Sequence, residues 1–173
     1  MGAPKPLAQL GGAPLIAHPL AAAAAAGLAA VVIAKPGTPL PDDLAVPVWL
    51  EPAEPVHPLL GVVTALERAG GAVVAVACDM PFVPGALLAR LAAGPEAAVR
   101  QGDRLEPFPA RYEPAALPAL RAALDRGAAV RDTLAALAPA VLDGAAFGDP
   151  ARILASVNTP DELAAAEREL ERK

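Results

Sequence analysis

The sequence has 173 residues, of which 55% are hydrophobic and 3% aromatic, and its formal net charge is −5. This length suits a single domain with a complete core, so we expect residues 1–173 to form one domain. The negative charge and the lack of a basic cluster argue against nucleic-acid binding. Prolines interrupt every apolar run before it reaches the roughly 20 residues that cross a membrane. A single cysteine, Cys78, excludes an internal disulfide and fits a reducing, cytoplasmic compartment.

Helices and strands alternate along the first half of the chain. After a loop over residues 1–12, a helix is predicted from Pro14 to Gly27, unless Pro19 delays its start. The elements that follow are strands at Ala30–Ile33 and Val46–Leu50, a helix at Pro58–Ala69, a strand at Ala72–Val76 expected to be buried on both faces, and a helix at about Gly85–Ala93.

The second half predicts a hairpin, several helices and two short strands. The last helix has the clearest start, with Thr159 as N-cap, Pro160 at the first position and Glu162 completing a capping box. This alternation indicates an α/β class. The other elements are a hairpin pairing Ala97–Arg100 with Phe108–Tyr112, helices near Ala115–Arg126 and Ala129–Ala138, and strands near Val141 and at Ile153–Val157.

Three polar side chains stand at loops or strand ends where ligands commonly bind. Asp79 follows an apolar strand, where a carboxylate can hold a cation, although a turn or helix-cap role fits equally well. Asn158, the only asparagine, precedes the helix cap, and its amide oxygen could ligate a hard cation such as Mg²⁺. Lys5 ends the glycine-containing loop Met1-Gly-Ala-Pro-Lys5, which suits phosphate binding but also an ordinary solvated lysine.

Five short motifs occur in one order along the chain, and together they carry a family resemblance. In this order they resemble the molybdenum cofactor guanylyltransferases, and Pro107–Tyr112 looks like a variant of a strand of that family. The resemblance implies a three-layer, Rossmann-like nucleotidyltransferase fold, with a mostly parallel sheet and helices on both faces. The motifs are Met1-Gly-Ala-Pro-Lys5, Gly12-Ala-Pro-Leu-Ile16, Pro58-Leu-Leu-Gly61, Cys78-Asp-Met-Pro81 and Asn158-Thr-Pro160.

The same resemblance implies an activity and a set of site residues. The reaction would be Mg²⁺-dependent transfer of GMP from GTP to a molybdopterin-type acceptor, with release of pyrophosphate. The catalytic residues would be Lys5 and Asp79. The nucleotide would be bound by Gly2, Lys5, Glu54 and Asp79. Asp79 would also hold the metal, with Asn158 as a second candidate ligand. GTP and the acceptor would be the partners, and the family leaves room for transient contact with other cofactor-biosynthesis proteins.

The chain departs from the family pattern in ways that keep alternatives open. Glu54 stands where the family often has a guanine-binding aspartate, and Ala34 or Lys35 replaces a common asparagine. The alternatives to a guanylyltransferase are a related cytidylyltransferase, another nucleotidyltransferase, or a non-catalytic paralogue that binds a nucleotide or a pterin. The Cys-Asp-Met-Pro motif favours guanine, because the cytidylyl branch typically has Asp-Gln-Pro.

The largest departure concerns the first strand of the family fold. The family motif begins with a central strand and an Ala-Gly-Gly loop, and neither precedes Met1 here. Without that strand its neighbours would lie about two strand spacings, or roughly 10 Å, apart unless they collapse together. We therefore expect that the natural protein starts about 15 to 20 residues upstream, the length of one strand and loop.

Overall fold

The computed structural model describes residues 4–94 and 98–172, which form an α/β structure with short strands and helices of up to three turns. The strands are β1 (Gln9–Leu10), β2 (Ala13–Pro14), β3 (Val32–Ala34), β4 (Val48–Leu50), β5 (Val73–Ala75), β6 (Ala98–Gln101), β7 (Arg104–Tyr112) and β8 (Val141–Asp143). The helices are α1 (Ala17–Ala25), α2 (Pro58–Ala69), α3 (Gly85–Ala93), α4 (Leu117–Asp125), α5 (Val130–Ala136), α6 (Pro150–Ile153) and α7 (Pro160–Glu171).

Two hydrophobic clusters cover opposite faces of the largest sheet. Ala98 and Ala110 belong to the cluster formed with α2, α4 and α5. Val99, the neighbour of Ala98, belongs to the cluster formed with α1, α3 and Ile153. Because successive strand residues point to opposite faces, this alternation places helices on both sides of the sheet. The predicted three-layer α/β class is confirmed.

The sheets are mixed, which corrects the expectation of a mostly parallel sheet. The largest sheet has the order β5-β7-β6-β8, in which β5–β7 and β6–β7 are antiparallel and β6–β8 is parallel. The β3–β4 pair is parallel, and β1–β2 is a small antiparallel hairpin. A hairpin around Gln101-Gly-Asp103 was predicted and adds antiparallel pairing, but its partner strand was placed too late. Strand β6 pairs mainly with residues 104–106, whereas residues 110–112 pair with β5.

Within the described residues, β3 and β5 are both edge strands. Within residues 4–94 and 98–172, β3 pairs with β4 alone and β5 pairs with β7 alone. Helix α2 packs against both β3 and β5. Both faces of β5 are covered as predicted, since Val73 and Ala75 pack against the cluster of α2 and Val74 against the cluster of α3, although each of these residues is only half-buried. The expectation of a strand upstream of Met1 stays a prediction.

Several predicted boundaries also differ from the structure. Helix α1 begins at Ala17, because Pro14 pairs in β2 and Pro19 then lies in the first turn, where its missing N–H needs no helical acceptor. No strand covers Ile153–Val157, because Ile153 ends α6 and residues 155–158 have no regular secondary structure. Among the described residues, no helix combines the length and apolarity needed to span a membrane.

Candidate active site

Lys5, Asp79 and Asn158 meet at one point of the structure. The Lys5 Nζ donates a hydrogen bond to Asp79 Oδ2 at 2.7 Å and another to Asn158 Oδ1 at 2.5 Å. The Asp79 side chain is 14% exposed, whereas that of Lys5 is 38% exposed. One carboxylate oxygen and one amide oxygen therefore share the ammonium group of Lys5.

The packing of the N-terminal segment against α7 brings Lys5 to this point. Ala8 and Leu10 are buried in a cluster with Val157 and Ala166, so the residue before Asn158, helix α7 and the segment following Lys5 share one small core. The Gly11 amide also donates to a carboxylate oxygen of Glu167 at 2.9 Å. These contacts join two parts of the chain that are about 150 residues apart.

Asp79 is held by its own backbone as well as by its side-chain contacts. The Val157 amide donates to the Asp79 carbonyl at 2.8 Å, which ties the end of the β5 segment to the segment before α7. Cys78 packs against the cluster of Ile16, Val32 and Ala34. Burial, and next the negative charge of Asp79, raise the pKa of the Cys78 thiol, whereas Lys5 lowers it. Cys78 is therefore a neutral packing residue beside the site.

Glu162 supports Asn158, a role that its place in the capping box did not reveal. Its Oε2 accepts from the amides of Asn158 at 2.6 Å and Thr159 at 2.9 Å. The hydrogen bond from the Asn158 amide, followed by that from the Thr159 amide, lowers the pKa of the exposed Glu162 carboxyl. The capping box predicted from sequence is confirmed, and it also fixes the backbone that presents Asn158.

The side-chain oxygens of Asp79 and Asn158 form a pair of ligands that suits a hard cation. Carboxylate and amide oxygens are the ligands that Mg²⁺ prefers, and Mg²⁺ usually takes only one or two of them from the protein. Asp79 and Asn158 already hold the Lys5 ammonium together, so they can share a cation. In the described part of the chain there is no cluster of three or more His, Cys, Asp or Glu side chains that would make a closed metal site.

The other predicted site residues lie elsewhere or outside the described residues. Gly2 is outside them. Glu54 is exposed in the loop between β4 and α2, and within the described ranges no hydrogen bond or ion pair joins it to Lys5, Asp79 or Asn158. The sequence interpretation noted Lys35 only as one of two residues that replace a common asparagine of the family, and it missed the contacts of this lysine with the loop of Glu54.

A family model described as a MobA-like NTP transferase domain matches residues 1–141. The chain belongs to this family. A molybdenum cofactor guanylyltransferase from Rhodobacter capsulatus is 35% identical over 179 residues, an alignment that covers 98% of this chain and 90% of that protein. The recognised resemblance is thereby confirmed, and the chain is a nucleotidyltransferase.

Solved structures show the same fold. A molybdopterin-guanine dinucleotide biosynthesis protein A from Archaeoglobus fulgidus is similar with a TM-score of 0.74 and 25% identity, covering 98% of this chain and 91% of that chain. A 2-C-methyl-D-erythritol 4-phosphate cytidylyltransferase from Thermus thermophilus has a TM-score of 0.71 and 24% identity, covering 98% of this chain and 95% of that chain. The second likeness shows the fold alone.

Proposed function

We propose that this chain transfers GMP from GTP to the phosphate of a molybdopterin-type acceptor. The observation that carries the proposal is the convergence of Lys5, Asp79 and Asn158 in a chain of the MobA-like family. Its relative from Rhodobacter capsulatus, named a molybdenum cofactor guanylyltransferase, supports this choice of substrates.

In the proposed reaction an acceptor phosphate oxygen attacks the α-phosphorus of GTP. A new P–O bond forms, the bond between the α-phosphorus and its bridging oxygen breaks, and pyrophosphate leaves with that electron pair. The acceptor phosphate is already anionic, so the protein needs no general base. Catalysis then depends on holding the two phosphates together and on neutralising their charge.

Each residue of the site has a distinct part in this proposal. The Lys5 ammonium would leave Asp79 and Asn158 to contact the triphosphate when the nucleotide binds, since its side chain is long and partly exposed. Asp79 and Asn158 would then hold Mg²⁺, which supplies charge neutralisation on the phosphates when bound. Glu54 would accept hydrogen bonds from the N1–H and amino group of guanine, and Gly2 would lie near the phosphates.

The direct test is Asp79→Asn, which keeps the shape of the side chain but removes its charge. We expect the rate of dinucleotide formation from GTP, Mg²⁺ and molybdopterin to fall at least about a hundredfold. Removal of one preorganised electrostatic contact from an enzyme active site typically has an effect of this size. Asp125→Asn, at the end of α4, is the matched control and should keep the wild-type rate. Wild-type activity in Asp79→Asn would remove Asp79 from the site.

The same assay separates the alternatives. A preference for CTP over GTP would indicate the related cytidylyltransferase, and nucleotide binding without pyrophosphate release would indicate a non-catalytic binding protein. A cytoplasmic location and transient contact with other cofactor-biosynthesis proteins stay predictions.

A further inference from the structure

The loop that carries Glu54 surrounds the ammonium group of Lys35. The Lys35 Nζ donates to the carbonyl oxygens of Pro52 at 2.9 Å, Ala53 at 2.8 Å and Pro55 at 3.2 Å. A lysine ammonium has three N–H donors, so these three carbonyls use all of them. Lys35 is therefore occupied by the protein itself and is not placed to act as a phosphate-binding lysine.

The base of this loop is fixed by the neighbouring strands. Lys35 directly follows β3, and the Glu51 amide donates to the Ala34 carbonyl at 2.9 Å, which extends the parallel pairing of β3 with β4. A carboxylate oxygen of Glu51 lies 3.5 Å from the Lys35 Nζ, and the Glu51 side chain is only 13% exposed. The other oxygen packs against Gly61 of α2, where an added Cβ would lie 3.2 Å from it.

Within residues 4–94 and 98–172, only Lys35 forms side-chain hydrogen bonds with the tip of the loop, residues 52–56. Residues 52–56 are all exposed, and Val56 is 76% exposed, so apolar packing does not hold them. The carbonyl oxygens of Pro52, Ala53 and Pro55 all point at the Lys35 ammonium. Without the ammonium, their partial negative charges would repel each other. Glu54 lies between Ala53 and Pro55, both of which are held through their carbonyls. Lys35 thus determines where the backbone of Glu54 lies.

We propose that Lys35 is a positioning residue that sets the preference of this site for guanine. The inference rests on the proposed function, in which the Glu54 carboxylate accepts from two adjacent donors of the base. Two parallel hydrogen bonds require a fixed carboxylate, whereas a mobile one makes either bond only part of the time. Loss of Lys35 should therefore weaken discrimination against a purine that lacks the amino group, such as inosine triphosphate.

The experiment compares GTP with inosine triphosphate in wild type, Lys35→Met, Glu54→Gln and the double variant. We expect Lys35→Met to raise the KM for GTP about tenfold, the effect of losing roughly one buried hydrogen bond, while kcat stays within about threefold. The preference for GTP, measured as the ratio of kcat/KM values, should fall towards that of Glu54→Gln. The double variant should be no worse than the more impaired single variant, because both act through one contact.

Two further variants separate positioning from general loss of structure. Lys35→Arg keeps a cation next to the carbonyls and should retain more of the GTP preference than Lys35→Met. Arg121→Met removes a cation from an exposed ion pair with Glu67 and should leave both kinetic constants unchanged. An equal loss for both nucleotides in Lys35→Met, or additive losses in the double variant, would overturn the positioning role.

The wild-type result separates failure of the proposed function from failure of the role proposed for Lys35. If wild type makes no dinucleotide, or uses GTP and inosine triphosphate equally well, the proposed function or its guanine-binding residue is wrong. If wild type and Glu54→Gln behave as expected while Lys35→Met keeps the wild-type preference, only the role of Lys35 is overturned.

Discussion

Lys5 connects parts of the chain that are far apart in sequence. Its ammonium bonds to Asp79, 74 positions away, and to Asn158, 153 positions away. In this arrangement the ammonium lies where a metal ion shared by the same two oxygens would lie. Lys5 and a divalent cation are therefore expected to compete for Asp79 when no nucleotide is present, because both are attracted to the same carboxylate.

This competition gives a prediction for Lys5→Met. Without the ammonium, the carboxylate of Asp79 loses its cationic partner, so we expect Mn²⁺ to bind several-fold more tightly in the absence of nucleotide. A tenfold tighter Kd would correspond to about 1.4 kcal/mol of binding free energy. The same variant should lose turnover, because the triphosphate loses its lysine. Mn²⁺ binding can be followed by electron paramagnetic resonance of the free ion. Arg121→Met is the control, and unchanged Mn²⁺ affinity in Lys5→Met would show that the ammonium does not compete with the metal.

Among the elements, the contact of α1 with α3 positions the segment after Asp79. Gly85 begins α3, and an added Cβ there would lie 2.8 Å from the Ala22 carbonyl oxygen and 3.2 Å from the Ala25 Cβ. Both neighbours belong to α1, and the first of these atoms is backbone. The two helices can approach this closely only because residue 85 has no side chain.

We therefore predict that Gly85→Ala destabilises the protein. The methyl group must push the α1 backbone away, and overpacking of this kind costs about 1–3 kcal/mol. The free energy of unfolding in urea measures the effect. Gly71→Ala is the matched control, because an added Cβ there meets nothing within 4 Å and its φ lies outside the left-handed region. Equal stability of the two variants would mean that the helices separate without cost.

Local patterns predicted most of these elements, and the strand that failed depended on tertiary contacts. The capping box at Thr159 and Glu162 and the β6–β7 hairpin were recognised because each depends on a few neighbouring residues. The strand predicted at Ile153–Val157 failed, because its apolar residues are shared between the end of α6 and an irregular segment that contacts Asp79. A short apolar run does not distinguish these outcomes without its tertiary partners.

Across the whole molecule, the described strands divide into separate sheets. Strands β3 and β5 each expose one edge, yet both pack against α2, whose residues Leu59, Val62, Val63 and Leu66 are buried. The helix layer therefore continues across the place where the backbone pairing stops. Edge strands with unpaired amides are easily opened or extended by another strand.

Hydrogen exchange tests this division. We predict that the amides on the unpaired sides of β3 and β5 exchange about tenfold or more faster than those of Ala98 and Val99, because β6 is paired on both sides. In β3 this is the amide of Ile33, since the Val32 amide is bonded to the Pro47 carbonyl at 2.9 Å. Residues of α2 provide an internal reference, since their amides are bonded within one helix. Equal protection of β3, β5 and β6 would show that these edges are covered in solution.

Local patterns and ordered motifs in the sequence were sufficient for the α/β class, most of the helices and strands, the family and the residues to examine. The family resemblance also implied that Lys5, Asp79 and Asn158 belong to one site. Their direct hydrogen bonds, and the contacts of Lys35 with the loop of Glu54, came from the folded chain alone. The hydrogen bonds of Lys5 depend on Ala8 and Leu10 packing against Val157 and Ala166. Such packing joins segments that are distant along the chain, and no spacing of residues within a single segment records it.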